Sequence, residues 1–206
     1  MTALFIDSTY DVTLGVLDDD FKWIDFKQYV GQKSSSVLQK EAWNLLSQHS
    51  LRPKSLSSII SVAGPGFYTG LRLSEGFADV FKFFGINHYS FFTHEIPSWC
   101  GTKSGTWMTK AYRGEYFFHH WTEDAVKSEL IAAKDLADYM TQVNEVFIHS
   151  EPSLDATSLA LLKKTVSTHE LLKKYPEKIL KHVIENKLQR DSFYFRAPED
   201  EFKANP

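Results

Sequence analysis

The sequence predicts an α/β protein built in two halves on mixed β-sheets, and three observations carry that expectation. Short apolar runs at 4–6, 12–17 and 21–30 precede the first helical pattern. An apolar strand, a glycine-rich turn and an amphipathic helix then follow one another between residues 56 and 84. A second series of strands and helices starts beyond Pro97 to Ser104, which divides the chain into 1–103 and 104–206.

Taken in order, Leu4-Phe5-Ile6 is a strand that ends in the polar Asp7-Ser8-Thr9. Val12 to Leu17 is a second strand, and Asp18-Asp19-Asp20 turns the chain. Phe21 to Val30 alternates imperfectly, with Trp23, Ile24, Phe26 and Tyr29 as packing residues, so the three strands read as an antiparallel meander. Ser36 with Gln39 fits a capping box, and Val37, Leu38, Ala42, Leu45 and Leu46 then share one face of a helix over 36–47. Leu56 to Val62 is a short apolar strand around Ile59 and Ile60. After the turn Gly64-Pro65-Gly66-Phe67-Tyr68-Thr69-Gly70, the stripe Leu73, Phe77, Val80, Phe81 and Phe84 marks a helix over 71–84, closed by Gly85. His88 to Phe92 is the fifth strand.

That succession, β-β-β-α-β-α-β, is the ribonuclease H-like order, the unit that also builds actin, sugar kinases and heat-shock ATPases. It places Asp7, Ser8 and Thr9 beside the glycine turn at the carboxyl end of the sheet, where open α/β sheets bind ligands. In the second half, Thr106 to Ala111 and Glu115 to Trp121 flank Tyr112-Arg113-Gly114 as a hairpin. Helices are expected over 133–141, 155–164 and 168–187, a strand over Glu145 to His149, and an aromatic tail at Phe193-Tyr194-Phe195-Arg196. No internal repeat is visible.

Composition bounds the function. A chain of 206 residues, 43% hydrophobic, buries one generous core or two small ones. Its net charge of −3 argues against strong unaided binding to nucleic acid. Residues 163–190 depart from that average: eight basic residues stand against three glutamates, either to steer RNA or as a solvated helical face. The one cysteine, Cys100, suits a reducing, cytoplasmic compartment. No leader and no apolar stretch of membrane-spanning length, about 20 residues, is readable.

The glycine turn offers backbone N–H groups to an anion, or simply packs a helix close to a sheet. No Lys-Ser/Thr pair follows it and its spacing is not G-x-G-x-x-G, which weighs against a P-loop kinase and a dinucleotide-binding domain. None of the eight histidines has His-x-x-x-His spacing, and adjacent His119 and His120 point to opposite faces of a strand, so no metal site is readable. The absence of a Gly-x-Ser-x-Gly elbow weighs against a peptidase.

The opening strand with Asp7-Ser8-Thr9, the Gly64-Pro65-Gly66-x-x-Thr69-Gly70-Leu71-Arg72 turn, the Arg113-Gly114-Glu115 hairpin and the terminal Tyr194-Phe195-Arg196 together resemble the TsaB (YeaZ) family. The resemblance implies an actin-like fold of two ribonuclease H-like lobes, the second abbreviated. It also implies a non-catalytic subunit that pairs with a larger relative, TsaD, and with the ATPase TsaE, to threonylcarbamoylate adenosine 37 of tRNA. It implies no metal and no cofactor of the chain's own, with ATP or ADP at a partner interface as the alternative. Asp7, Ser8, Thr9, Gly64, Gly66, Thr69 and Gly70 would then be a vestigial phosphate site. The two N-terminal helices would face TsaD, or a second copy, through Val37, Trp43, Gly76 and Phe83. The chain departs from the family's pattern at Phe67-Tyr68 in place of Ser-Phe, at Glu75, at Lys110 and at Lys33. The competing expectation is an actin-like ATP-binding phosphotransferase or ATPase, with Asp7 near a magnesium ion.

Overall fold

A computed structural model describes residues 2–141, 143, 145–150, 153–162 and 164–195, with only the backbone for Arg113 and Thr157. The first sheet has the order β3-β2-β1-β4-β5. Its strands are β1 (Thr2–Asp7), β2 (Val12–Leu17), β3 (Trp23–Tyr29), β4 (Leu56–Gly64) and β5 (Asn87–Phe92). The first three pair antiparallel, and β4 and β5 are added parallel to β1. Helices α1 (Ser34–Gln48) and α2 (Tyr68–Phe83) cover one face, over a core that includes Leu4, Ile6, Leu45, Ala78 and Phe81. The short α3 (Ile96–Trp99) leads out of this unit.

The second sheet, β10-β9-β6-β7-β8, repeats the same plan. Strands β6 (Gly105–Lys110), β7 (Glu115–Trp121) and β8 (Val126–Ala132) pair antiparallel. Then α4 (Leu136–Met140), β9 (Val146–Ile148), α5 (Ala156–Leu161) and β10 (Thr165–Ser167) follow, with β9 parallel to β6 and β10 parallel to β9. The fold is therefore actin-like: two mixed-sheet lobes of ribonuclease H-like order. The second is abbreviated, because α4 and α5 have 5 and 6 residues where α1 and α2 have 15 and 16.

The chain then returns to the first lobe. Helices α6 (Thr168–Lys174) and α7 (Pro176–Glu185) lie on the free face of the first sheet, where Leu172, Ile179, Leu180 and Val183 meet Phe5, Ile60 and Phe91. The single helix expected over 168–187 is thus two. Pro176 has no N–H to give and Tyr175 leaves the helical region at φ −126° and ψ 48°, so the axis breaks there. Ser167 caps α6 by accepting from the Glu170 N–H.

Three more local differences have physical causes. Strand β8 falls where no element was expected: it is an edge strand, exposed or half-buried throughout, and shows no apolar alternation. The helix expected over 133–141 begins as a 3₁₀ turn at Ala133–Asp135 and becomes α-helical only from Leu136. The helix expected over 155–164 starts only at Ala156 because Asp155 is its cap, its carboxylate accepting from the Ser158 N–H, and it ends at Leu161 because Leu162 is extended, at ψ 121°. Among the described residues no helix is long and apolar enough to cross a membrane.

Candidate functional site

The glycine turn and the end of β1 meet as the strand order requires, and they meet without a gap. Asp7, 1% exposed, accepts hydrogen bonds from the Thr9 N–H at 2.9 Å and the Thr9 hydroxyl at 2.7 Å. Ser8 Oγ donates to the Gly70 carbonyl at 2.7 Å and lies 2.6 Å from Ser74 Oγ. The Phe67 N–H donates to the Thr9 carbonyl at 2.9 Å. Each of these donors finds its acceptor within the junction.

The glycines explain this closeness. A Cβ on Gly66 would stand 2.6 Å from Thr9 Cβ, and one on Gly70 would stand 1.8 Å from the Ser8 carbonyl oxygen. Gly64, at φ +122°, has the Phe193 carbonyl oxygen 2.6 Å from where its Cβ would be. The tail lies across the turn here: Phe193 N–H donates to the Ala63 carbonyl, Tyr194 bridges to Gly66, and Phe195 closes on Phe67 and Phe117. The space bounded by Thr9, Gly66, Phe67, Lys110, His149 and Phe195 has no room for a water. Of the seven residues expected to hold phosphate, six come together and Thr69 faces solvent. Asp7, Ser8, Thr9, Gly66 and Gly70 pack directly against one another. Glu75 pairs with Arg72 at 2.8 Å, and Lys110, which borders the turn, pairs with Asp155 at 3.0 Å.

Two histidines that no sequence spacing singled out complete the lobe junction. His149, at the end of β9, brings Nε2 to 3.4 Å from Asp7 Oδ2 and 3.5 Å from Thr9 Oγ1. His169, in α6, lies 3.2 Å from Thr13 Oγ1 and packs on Phe26. Burial, with the neighbouring His149, pushes the His169 pKa down. These contacts join residues 140 and 156 positions apart, which is why no local pattern announces them. Among the described residues no group of three or more potential ligands is placed to hold a metal ion.

The second candidate site is the outer face of α1 and α2. Phe83 is 87% exposed, and Val80 and Phe84 are 50% exposed each. Trp43 stacks on Phe81 and leaves part of its ring open. A groove of about 260 Å³ runs between the helices, bounded by Ser35, Leu38, Leu73, Gly76, Phe77 and Val80. No atom lies within 4 Å of the place where a Gly76 Cβ would stand, so a partner backbone has access there. Val37, expected on this surface, is instead buried with Leu4 and Leu38 in the lobe's own core, because it falls on the inward stripe of α1. Trp43, Gly76 and Phe83 are on the outer face.

The hairpin around Arg113 forms as expected, with a 3₁₀ turn at Tyr112–Gly114 and Gly114 at φ +73°. The side chain of Arg113 and all of Arg196 lie outside the described residues.

No protein-family model matches the chain, and no curated protein matches it. Solved structures do. YeaZ from Pseudomonas aeruginosa aligns with a TM-score of 0.58 and 15% identity, over 92% of this chain and 100% of its own. A protein described as similar to peptidase YeaZ from Pseudomonas aeruginosa aligns with a TM-score of 0.58 and 12% identity, over 93% of this chain and 99% of its own. The likeness runs over nearly the whole of each molecule, and it establishes a shared fold.

Proposed function

We propose that this chain is a partner-binding subunit without chemistry of its own, which pairs through α1 and α2 with a larger TsaD-like protein and, with a TsaE-type ATPase, supports threonylcarbamoylation of adenosine 37 in tRNA. The observation that carries this reading is the apolar outer face of those helices. Phe83, Val80 and Phe84 are large, neighbouring and exposed, and a contiguous apolar patch rimmed by polar residues marks an interaction surface. The fold shared with YeaZ and the family motifs in the sequence support the identity of the partner. The close packing of the glycine turn against the end of β1 supports the division of labour. Without its partner the same face is available to a second copy, giving a symmetric dimer.

The test is Phe83→Asp. A charge placed at the centre of an apolar interface is desolvated without a partner and costs several kcal/mol, so pairing is expected to weaken by at least about a hundredfold. Phe83 is 87% exposed and its ring packs on Phe84, itself half exposed, so the variant's thermal stability should stay within about 0.5 kcal/mol of the parent. Co-purification with the TsaD relative of the same cell, sized by light scattering and followed by the tRNA modification assay, reads both. A Phe83→Asp chain that still co-purifies and supports modification would sink the reading.

A further inference from the structure

We infer that the corner between α6 and α7 is a contact for a single-stranded stretch of RNA, on the side of the first lobe opposite the α1–α2 face. The chain folds here so that two separate stretches build one groove of about 390 Å³, with walls of Phe21, Trp23 and Tyr175 and a rim of Lys173, Lys174 and Lys178. The break at Tyr175-Pro176 produces it: it turns the end of α6 away from α7 and leaves Tyr175 41% exposed. Lys174 lies 5.1 Å from the Tyr175 ring.

The lysines are available. Lys173, Lys174 and Lys178 are exposed and none is in an ion pair among the described residues, whereas Lys22, on the opposite wall, stands 3.9 Å from Asp20. Glu177 is the one carboxylate among the groove's lining residues. An acidic peptide would use the three cations and leave the aromatic walls without a role. A phosphate ion would use the cations and leave most of the volume empty. A nucleotide strand uses both, its phosphates on the lysines and a base against an aromatic ring, the combination by which single strands are held without sequence preference. The chain's overall charge of −3 makes the contact weak alone, so it adds to what a partner supplies. The choice of tRNA as the RNA rests on the proposed function; the groove does not.

The experiment is fluorescence anisotropy of fluorescein-labelled, unfractionated tRNA titrated with the full chain at 50 to 200 mM salt. Binding is expected with a Kd of about 10⁻⁵ M at the low end and a slope of log K against log salt of about −2 to −3, the value for three or four neutralised phosphates. The triple variant Lys173→Glu, Lys174→Glu, Lys178→Glu, checked for its fold by circular dichroism, should bind at least about tenfold more weakly. Tyr175→Ala should bind about fivefold more weakly with the slope unchanged, since it removes stacking and no charge. No binding at 50 mM salt, a triple variant equal to the parent, or displacement of tRNA by polyglutamate at equal charge overturns the inference. Both groove variants retain the α1–α2 face, so co-purification with the TsaD relative separates a failure here from a failure of the pairing.

Discussion

Gly70→Ala is expected to lower the melting temperature by roughly 6–12 °C, at about 2–4 °C per kcal/mol for a chain of this size and a cost of about 3 kcal/mol. The reason is geometric. The added methyl would stand 1.8 Å from the Ser8 carbonyl oxygen, a backbone atom at the end of a central strand that cannot rotate away. Relief requires α2 to move off β1, which also breaks the Ser8 Oγ hydrogen bonds to Gly70 and Ser74. Gly76→Ala in the same helix is the control: its methyl meets nothing within 4 Å, and replacing a helical glycine should stabilise the isolated chain by about 0.5–1 kcal/mol. If the pairing face is as proposed, that same methyl weakens the complex. Calorimetric melts of the two variants check the contrast, and equal melting temperatures would refute the close packing of the turn.

Acid should unfold this protein well before its carboxylates protonate. Burial holds His88 and His119 down to about 4 and His94 down to about 3, and burial with His149 holds His169 down as well. A histidine whose folded pKa lies below its unfolded value near 6.5 is kept neutral by the fold, while the unfolded chain takes up the proton. Stability from these groups is therefore complete above pH 6.5 and is lost as pH falls from 6.5 towards 4. Counting only His88, His94 and His169, at about 2 kcal/mol each, the loss is about 6 kcal/mol, a large part of a typical domain's stability. Below pH 4 a further loss follows at Asp155, whose carboxylate is held low by the Ser158 hydroxyl and N–H and by Lys110. Urea melts at pH 7.5, 6.5, 5.5 and 4.5 measure the slope. His94→Phe should flatten it, because the ring already stacks between Phe92 and His119 and its Nδ1 has no hydrogen-bond partner. A stability independent of pH between 7.5 and 4.5 would show that these rings are solvated.

The strands and helices of the first lobe were legible because their signals are local and strong. Ile59, Ile60 and Val62 form a buried strand, and Leu73, Phe77 and Phe81 recur at the period of a helix. Both fit only one kind of element. The second lobe was legible in part. Its hairpin shows in the sequence, yet β8 has no alternation and β9, β10 and α5 have three, three and six residues. That is too short for a period to emerge, and so a duplicated strand order lay hidden in a chain without a visible repeat. The exposed outer face of α1 and α2 is legible at Trp43, Gly76 and Phe83, whereas Val37 turns inward to the core, because one position of rotation around α1 separates surface from core.

By itself, then, the sequence determined the strand order of the first lobe, the strand–turn–helix at Gly64 to Gly70 and the apolar excess on α1 and α2, since each depends on residues within a few positions of one another. Only the tertiary structure decided that the turn is filled, that the chain's own tail lies across it, that His149 and His169 reach Asp7 and Thr13, and that α6 and α7 return to the first sheet. Those outcomes depend on contacts between residues far apart in the chain, from 62 positions for Ser8 and Gly70 to 156 for Thr13 and His169. Such contacts form where two surfaces fit, and the fit of two surfaces is written in no single stretch of chain.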